Sequence, residues 1–371
     1  MPLRLAGALL IPVAVAVDTG DARAALAQAW PPFVLVAGLL LIGLVAGRDG
    51  LFDAAASRLV RLGGPPVVLL LACLALVAVV TAFLNLDTSV VFLTPVLIGA
   101  ARRRALDTAP FLYGSVLMAN ASSLFLPGSN LTNLLVLSGR RTSGAAFFAD
   151  MLPMALAAAG ITAAGLLIIH RRSLAGSGPA PERSALAKPE PLRLSLGLWG
   201  ALLAAGLIVA LRNAALPVLA IGLLMLAVRS RQGRMGLTAS LSWLGIPVLF
   251  SLFGVSVALG TLARASTFPA DVLHSAGAPA TAAVAALASV LVNNLPAAVL
   301  LSSTPHIHVS ALLIGLNVGP NLAVTGSLAV LLWWRAASSS HERPSIAASS
   351  RHGLLLAPAA ILGALAAGGL L

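Results

Sequence analysis

Cysteine and tyrosine occur once each in the 371 residues of this chain, and charged residues make up only 9 % of it. A single thiol, Cys73, set in an apolar run, excludes both a disulfide framework and a thiolate-bound metal cluster. Asp and Glu number only 11. No apolar segment pairs a histidine with Ser, Cys or a second acid, which weighs against an enzyme working inside the membrane. His274, His306 and His308 have no acid or cysteine at ligand spacing and read as solvated side chains rather than a metal site. Walker loops and dinucleotide fingerprints are missing as well. So little charge leaves no room for a sizeable soluble domain.

The chain is rich in apolar length instead. Hydrophobic residues are 59 % of it and the mean hydropathy is +1.00, far outside the range of soluble domains. The expected fold is therefore an all-α polytopic membrane protein, with about nine spanning segments near the ~20 residues that cross a bilayer. The candidates are 3–17, 30–47, 110–138, 147–169, 194–211, 214–228, 241–263, 309–334 and 353–371. Two more apolar stretches, 65–101 and 276–304, are too long and too interrupted for one helix each. The longest polar stretch, HRRSLAGSGPAPERSALAKPEPLR at 170–193, reads as a linker. Residues 1–24 have a competing reading as a secretory signal ending in Ala-Arg-Ala, and a retained helix fits the charge distribution.

The formal net charge of +12 could suggest a nucleic-acid partner, but its placement is topological. If 65–101 and 276–304 are re-entrant hairpins and the N-terminus is cytoplasmic, one face collects 18 of the 23 Lys and Arg. The other keeps only Arg23, Arg140, Arg141, Arg212 and Arg264. This is the positive-inside asymmetry of a multi-pass protein of the cell (inner) membrane. No nucleic acid is implied.

Internal repetition is the next signal. TAFLNLDTSVVFLTPVLIGA (81–100) and ASVLVNNLPAAVLLSSTP (288–305) each carry an Asn-centred break between apolar arms. Each precedes a spanning segment broken in its middle, SLFLPGSNLTNLLVL (123–137) and IGLNVGPNLAVTGSLAVLL (314–332). Unpaired backbone groups cost several kcal/mol each in hydrocarbon, so irregular backbone persists only around protein or a polar cavity. Two hairpins and two broken helices in matching order, entering from opposite sides, read as an inverted-repeat transporter with its site between the halves.

These residues resemble a known family. RDGLFDAAASRLVRLGG (48–64), FLNLDTSVVFLTPVLI (83–98), LPGSNLTNLLV (126–136), VNNLPAAVLL (292–301) and NVGPNLAVTGSLAVLLW (317–333) are similar to the arsenite-efflux permeases. Those belong to the ion-transporter superfamily, with sodium/proton antiporters and sodium-coupled dicarboxylate transporters. The resemblance implies a scaffold and a mobile transport unit that work by an elevator-like movement. Two departures stand out. The family's Asn-Asp at the first tip is Asn85-Leu86-Asp87 here, and a family acid-to-lysine pair near the second break is replaced by Asn317 and Asn321.

The chain divides accordingly into scaffold helices and an amphipathic helix (1–64), first transport elements (65–169), a cytoplasmic linker (170–193), second scaffold helices (194–275) and second transport elements (276–371). Residues 51–62 alternate Leu51, Phe52, Leu59 and Leu62 with Asp53, Arg58 and Arg61, as a helix lying on the cytoplasmic face would. The substrate- and ion-binding candidates are Asn85, Asp87, Thr88 and Ser89 at the first tip, and Ser129, Asn130, Thr132 and Asn133 in the first broken helix. Asn293 and Asn294 follow at the second tip, then Asn317, Asn321, Thr325 and Ser327 in the second broken helix. Asp87 is the only acid well inside an apolar segment, and either carries a proton or caps its helix.

Neutral amides and hydroxyls with one acid, and no Arg or Lys in the breaks, suit an uncharged hydroxide such as arsenous acid, or a small cation. Arsenite/antimonite export coupled to protons is the leading reading. Sodium/proton antiport or organic-anion (dicarboxylate-type) transport is the alternative. The expected partners are a small inorganic or organic solute and membrane lipid, with a homodimer or a cytoplasmic ATPase subunit compatible. No cofactor is expected beyond a coupling proton or sodium ion.

Overall fold

The computed structural model describes residues 3–61, 64–138, 140, 142–175, 195–211, 213–236, 246–266, 271, 273, 275–302 and 308–371. Among them there are seventeen α-helices and no strand. His274, His306 and most of the linker lie outside the described residues.

The first half begins with α1 (Leu3–Val17) and α2 (Thr19–Arg48). Between them the Asp18 carboxylate accepts from the Asp21 N–H at 2.8 Å, which satisfies one of the orphan donors at the α2 start. Expected at 30–47, α2 begins eleven residues earlier because this cap lies in a polar stretch that hydropathy discounts. The amphipathic segment is helical, α3 (Leu51–Arg61), with Phe52, Ala54, Ala56 and Val60 buried. Then come α4 (Pro66–Leu84), α5 (Leu86–Arg103), α6 (Ala109–Ser122), α7 (Leu131–Leu137), α8 (Gly144–Ile169) and the short α9 (Arg171–Ala175). The second half comprises α10 (Leu196–Ala210), α11 (Ala215–Arg231), α12 (Ile246–Arg264), α13 (Ala278–Val292), α14 (Asn294–Ser302), α15 (Val309–Val318), α16 (Leu328–Ser339) and α17 (Ile346–Ala367).

Nine spanning segments were expected. Among the described helices only α2, α4, α8 and α17 are both long and apolar enough to cross a bilayer. Caps and breaks shorten several of the others: α10 has 15 residues and α15 has 10.

The stretch 65–101 doubles back. Arg104, just past α5, donates to the Gly64 carbonyl ahead of α4 at 2.9 Å, so both ends of the hairpin lie together. Nearer the tip, the Ser89 hydroxyl reaches the Val77 carbonyl at 3.3 Å. The arms have 19 and 18 residues, about 28 Å and 27 Å at the α-helical rise. Upright arms of that length carry Asn85 across most of a ~30 Å hydrocarbon core rather than to its centre. The second hairpin, α13 and α14, turns at Asn293 and has shorter arms of 15 and 9 residues.

The two halves exchange arms. The second arm of the first hairpin, α5, packs on α16 of the second broken helix, while α14 packs on α7 of the first. In parallel, α4 packs on α6 and α13 on α15, and α8 and α17 pack on one another. Beside this core α2 contacts α10, α11 and α12, and α12 contacts α1. The large buried side chains, among them Phe111, Leu69, Leu93 and Trp333, fill the space between these elements. Trp333 also donates its indole N–H to the Leu112 carbonyl at 2.9 Å, which joins α16 to α6.

Charge gathers at one end. Arg102 pairs with Glu342 at 2.7 Å, beside the Arg104–Gly64 bond. At the ends of α2 and α11, Asp49 pairs with Arg229 at 2.7 Å and accepts from the Gly197 N–H at 2.8 Å.

Candidate functional site

Asn85 ends α4 and begins α5. Its backbone, at φ 108° and ψ 167°, lies where side chains are disfavoured and is held there by the hydrogen bonds of the turn. Its N–H donates to the Thr81 carbonyl (3.1 Å) and its Oδ1 accepts from the Thr88 N–H (2.8 Å). The cap of α5 is therefore Asn85. Asp87, in the first turn, is half-buried and makes no hydrogen bond or ion pair among the described residues. The sequence left open whether Asp87 caps this helix, and the geometry gives that task to Asn85. Around the tip Thr81 Oγ1, Asn85 Nδ2 and Thr88 Oγ1 are buried with no partner. Ser89, by contrast, is satisfied by Val77.

The first break runs from Ser123 to Asn130. A 3₁₀ turn, Pro127–Ser129, leads to Asn130, whose Oδ1 accepts from the Thr132 N–H (3.2 Å) and caps α7. Ser129 folds back on Leu126, taking its N–H at 2.9 Å and donating to its carbonyl. From this break the side chains reach across to the other half of the chain. Asn130 donates to Asn317 Oδ1 (2.8 Å), Ser123 donates to the same oxygen (2.5 Å), and Asn317 donates to Asn133 Oδ1 (2.7 Å). Asn133 in turn donates to the Ser123 carbonyl (2.7 Å). A second amide pair lies beside it: Asn120 donates to Asn321 Oδ1 (2.8 Å), and Asn321 donates to the Leu117 carbonyl (3.1 Å). All six side chains are buried. The free carbonyls and amides of two interrupted helices thus satisfy each other in place of water.

The second break is stitched to the second tip. After the 3₁₀ turn Gly319–Leu322, the Gly326 carbonyl accepts from the Asn294 N–H (2.9 Å) and the Thr325 carbonyl accepts from Asn293 Nδ2 (3.2 Å). The Thr325 hydroxyl donates to the Val290 carbonyl (2.9 Å). Ser327, which precedes α16, holds a buried hydroxyl without a partner, as does Thr132 at the start of α7. Here α17 comes very close. A Cβ on Gly353 would sit 1.6 Å from the Asn321 carbonyl oxygen, so only glycine fits.

The candidates therefore form three groups. Asn130, Asn133 and Asn317, with Asn321 beside them, hold the broken helices together. Asn293, Asn294, Thr325 and Ser327 gather at the second tip, while Asn85, Asp87, Thr88 and Ser89 gather at the first.

Sequence reading missed Asn120 and Ser123, which complete the amide network from inside α6 and at its end. Polar residues in an otherwise apolar run were the available signal. It also missed Gln28, which lies ahead of the expected start of its helix. Gln28 accepts from Arg264 (2.6 Å) and donates to the Leu135 carbonyl and the Ser302 hydroxyl (3.1 Å each), tying α2 and α12 to α7 and α14. Between α2, α7, α10 and α11 a cavity of about 170 Å³ is lined by Pro31, Pro127, Ser138, Arg140 and Asn213 among others. Two of the five basic residues expected on the sparsely charged face, Arg140 and Arg264, thus lie beside the elements that hold the breaks.

Known proteins agree with this architecture. The fold is similar to that of the YdaH transporter of Alcanivorax borkumensis, described as having an unusual topology, with a TM-score of 0.57 at 13 % identity over 94 % of this chain and 86 % of that one. The silicon efflux transporter LSI3 of rice (Oryza sativa subsp. japonica) is 32 % identical over 111 residues, which is 30 % of this chain and 23 % of the rice protein. The citrate transporter family (CitMHS) matches residues 2–324. The match names the citrate transporter family and does not single out the arsenite-efflux permeases that the motifs resemble. The chain has the apolar helices of a multi-pass membrane protein and belongs to the citrate transporter family.

Proposed function

We propose that the chain exports small uncharged hydroxides, arsenous and antimonous acid foremost, in exchange for protons. The hairpins and broken helices would move as a unit against α1, α2 and α10–α12, in the plasma membrane with the N-terminus cytoplasmic. One observation carries the reading: the polar atoms buried without partners at the tips and breaks are neutral. They are Thr81 Oγ1, Asn85 Nδ2, Thr88 Oγ1, Asn120 Oδ1, Thr132 Oγ1 and Ser327 Oγ. An amide N–H, an amide oxygen and four hydroxyls offer donors and acceptors together, which a neutral trihydroxide needs because it both donates and accepts. A multiply charged carboxylate needs cationic donors instead, and neither break contains Arg or Lys. Silicon, like arsenic, dissolves as a small uncharged hydroxide, so the name of the rice relative fits the same solute class. Asp87, unpaired at the first tip, is the group to carry the proton.

A second reading, organic-anion transport, is favoured by the family's description and by Arg140 on the cavity beside the first break. Expression in an arsenite-sensitive, efflux-deficient host separates the two. The proposal predicts restored growth on arsenite, no gain on high sodium, and no citrate accumulation. Citrate uptake with unchanged arsenite sensitivity would establish the second reading in its place.

A further inference from the structure

We propose that the cavity at the ends of α2, α10 and α11 is a binding site for a phosphate group, separate from the solute pathway. The site is built by the sequence at the end of α11. Gly233, with φ of 66°, turns the chain out of the helix, the Gly233 N–H donates to the Ser230 carbonyl (3.0 Å) and the Arg234 N–H to the Arg229 carbonyl (3.0 Å). This Gly-centred C-cap brings Arg234 back beside Arg229. Arg48, the last residue of α2, and Asp49 complete the cluster around a cavity of about 630 Å³.

The charges do not balance. Asp49, the one acid on the cavity, is engaged twice: by Arg229 at 2.7 Å and by the Gly197 N–H at the start of α10 at 2.8 Å. Arg48 and Arg234 are exposed, and their guanidinium groups have no ion pair among the described residues. Arg229 itself is buried, and its Nε–H lacks a partner. Three arginines against one engaged carboxylate leave a net charge of +2 on the lining of an open cavity. Guanidinium groups match phosphate oxygens with paired N–H donors. Basic pockets between helix ends on the positively charged side of a membrane protein take phosphorylated head groups. A phosphodiester of an anionic lipid and free inorganic phosphate share this chemistry.

The test uses the purified full chain in neutral detergent, with thermal unfolding as the readout. Short-chain phosphatidylglycerol, phosphatidylcholine and inorganic phosphate are titrated separately, and Arg48→Gln/Arg234→Gln is compared with Arg231→Gln, an exposed arginine outside the cavity. We expect phosphatidylglycerol to raise the midpoint and the double variant to weaken its apparent affinity by roughly fivefold or more per arginine, with Arg231→Gln unchanged. A response to inorganic phosphate that the double variant loses, with phosphatidylglycerol inert, supports the same site with a soluble ligand. Phosphatidylcholine stabilising equally, equal loss in Arg231→Gln, or no response to either phosphate source overturns the proposal.

Discussion

The side-chain amides of Asn130 and Asn317 meet at 2.8 Å although 187 residues separate them in the chain. Each stands at or beside the interruption of its own broken helix, so the bond joins the two interruptions directly. Asn317 also accepts from Ser123 and donates to Asn133, all of them buried. Asn317→Leu would leave Asn133 Oδ1 buried without a partner and Asn130 Nδ2 with only a 3.5 Å contact to Ser123, whose hydroxyl keeps the Asn120 carbonyl at 2.7 Å; each group so stranded costs about 1–3 kcal/mol. We expect a loss of about 2 kcal/mol or more, read as a lowered unfolding midpoint in detergent. Asn317→Gln, which keeps both amide functions on a longer arm, should lose less. Equal stability of the leucine variant and the wild type would contradict a locking role.

The close approach of α17 to the second break gives a prediction specific to one methyl group. Gly353→Ala places a Cβ against the Asn321 carbonyl, and the break has to shift to admit it. Transport should fall by about tenfold or more, since misplaced site groups lose rate steeply. Gly206→Ala, on the open face of α10 with no atom within 4 Å of the new Cβ, should leave transport and stability unchanged. Full activity in Gly353→Ala would mean that the break has slack.

His170 and His352 offer a pH dependence. Their Nε2 atoms lie 2.9 Å apart, and His352 Nδ1 donates to the Ala348 carbonyl at 2.6 Å. His352 Nε2 must then accept and His170 Nε2 must donate, so the pair holds one shared proton between the rings. Tyr113 stacks on His352 at 4.8 Å. Burial, His352 and Arg351 hold His170 below its ordinary value, against the opposing effect of Asp107. The unfolded chain therefore binds a proton that the folded chain resists, and stability is lost as pH falls below about 6.5. Unfolding midpoints measured from pH 8 to 5 should fall in that range. His170→Gln, which keeps a donor but does not titrate, should flatten the profile.

Topology follows from the Arg104–Gly64 bond at 2.9 Å. Single cysteines at positions 58 and 103 should label from the same side of the membrane, with the native Cys73 replaced by serine. Opposite-side labelling would break the hairpin, and with it the inverted arrangement.

Much of this fold is legible in the sequence because Asn, Pro and Gly inside apolar runs have few other uses. Both hairpin turns fall at the expected asparagines, Asn85 and Asn293, which have positive φ. The helix α3 was visible from its alternation of Leu and Arg. The grouping within the site was less legible. The sequence offers Asn130, Asn133 and Asn317 as solute-binding candidates, and in the structure their amides bond to one another. Which asparagine faces another depends on how the two halves pack, and no local pattern encodes that. Gln28 was hidden for a related reason: hydropathy starts its helix at Trp30, whereas the Asp18 cap starts it at Thr19.

The central claim is that a neutral hydroxide moves against a proton carried by Asp87. Everted vesicles with an imposed proton gradient, acid inside, test it in one assay of arsenite accumulation. The account predicts gradient-driven arsenite accumulation by the wild type, unaffected by excess citrate. Asp87→Asn should abolish uphill accumulation while arsenite binding to the purified protein stays within about tenfold, because losing a coupling ion need not remove solute contacts. Uphill accumulation by Asp87→Asn, or competition by citrate, would contradict it.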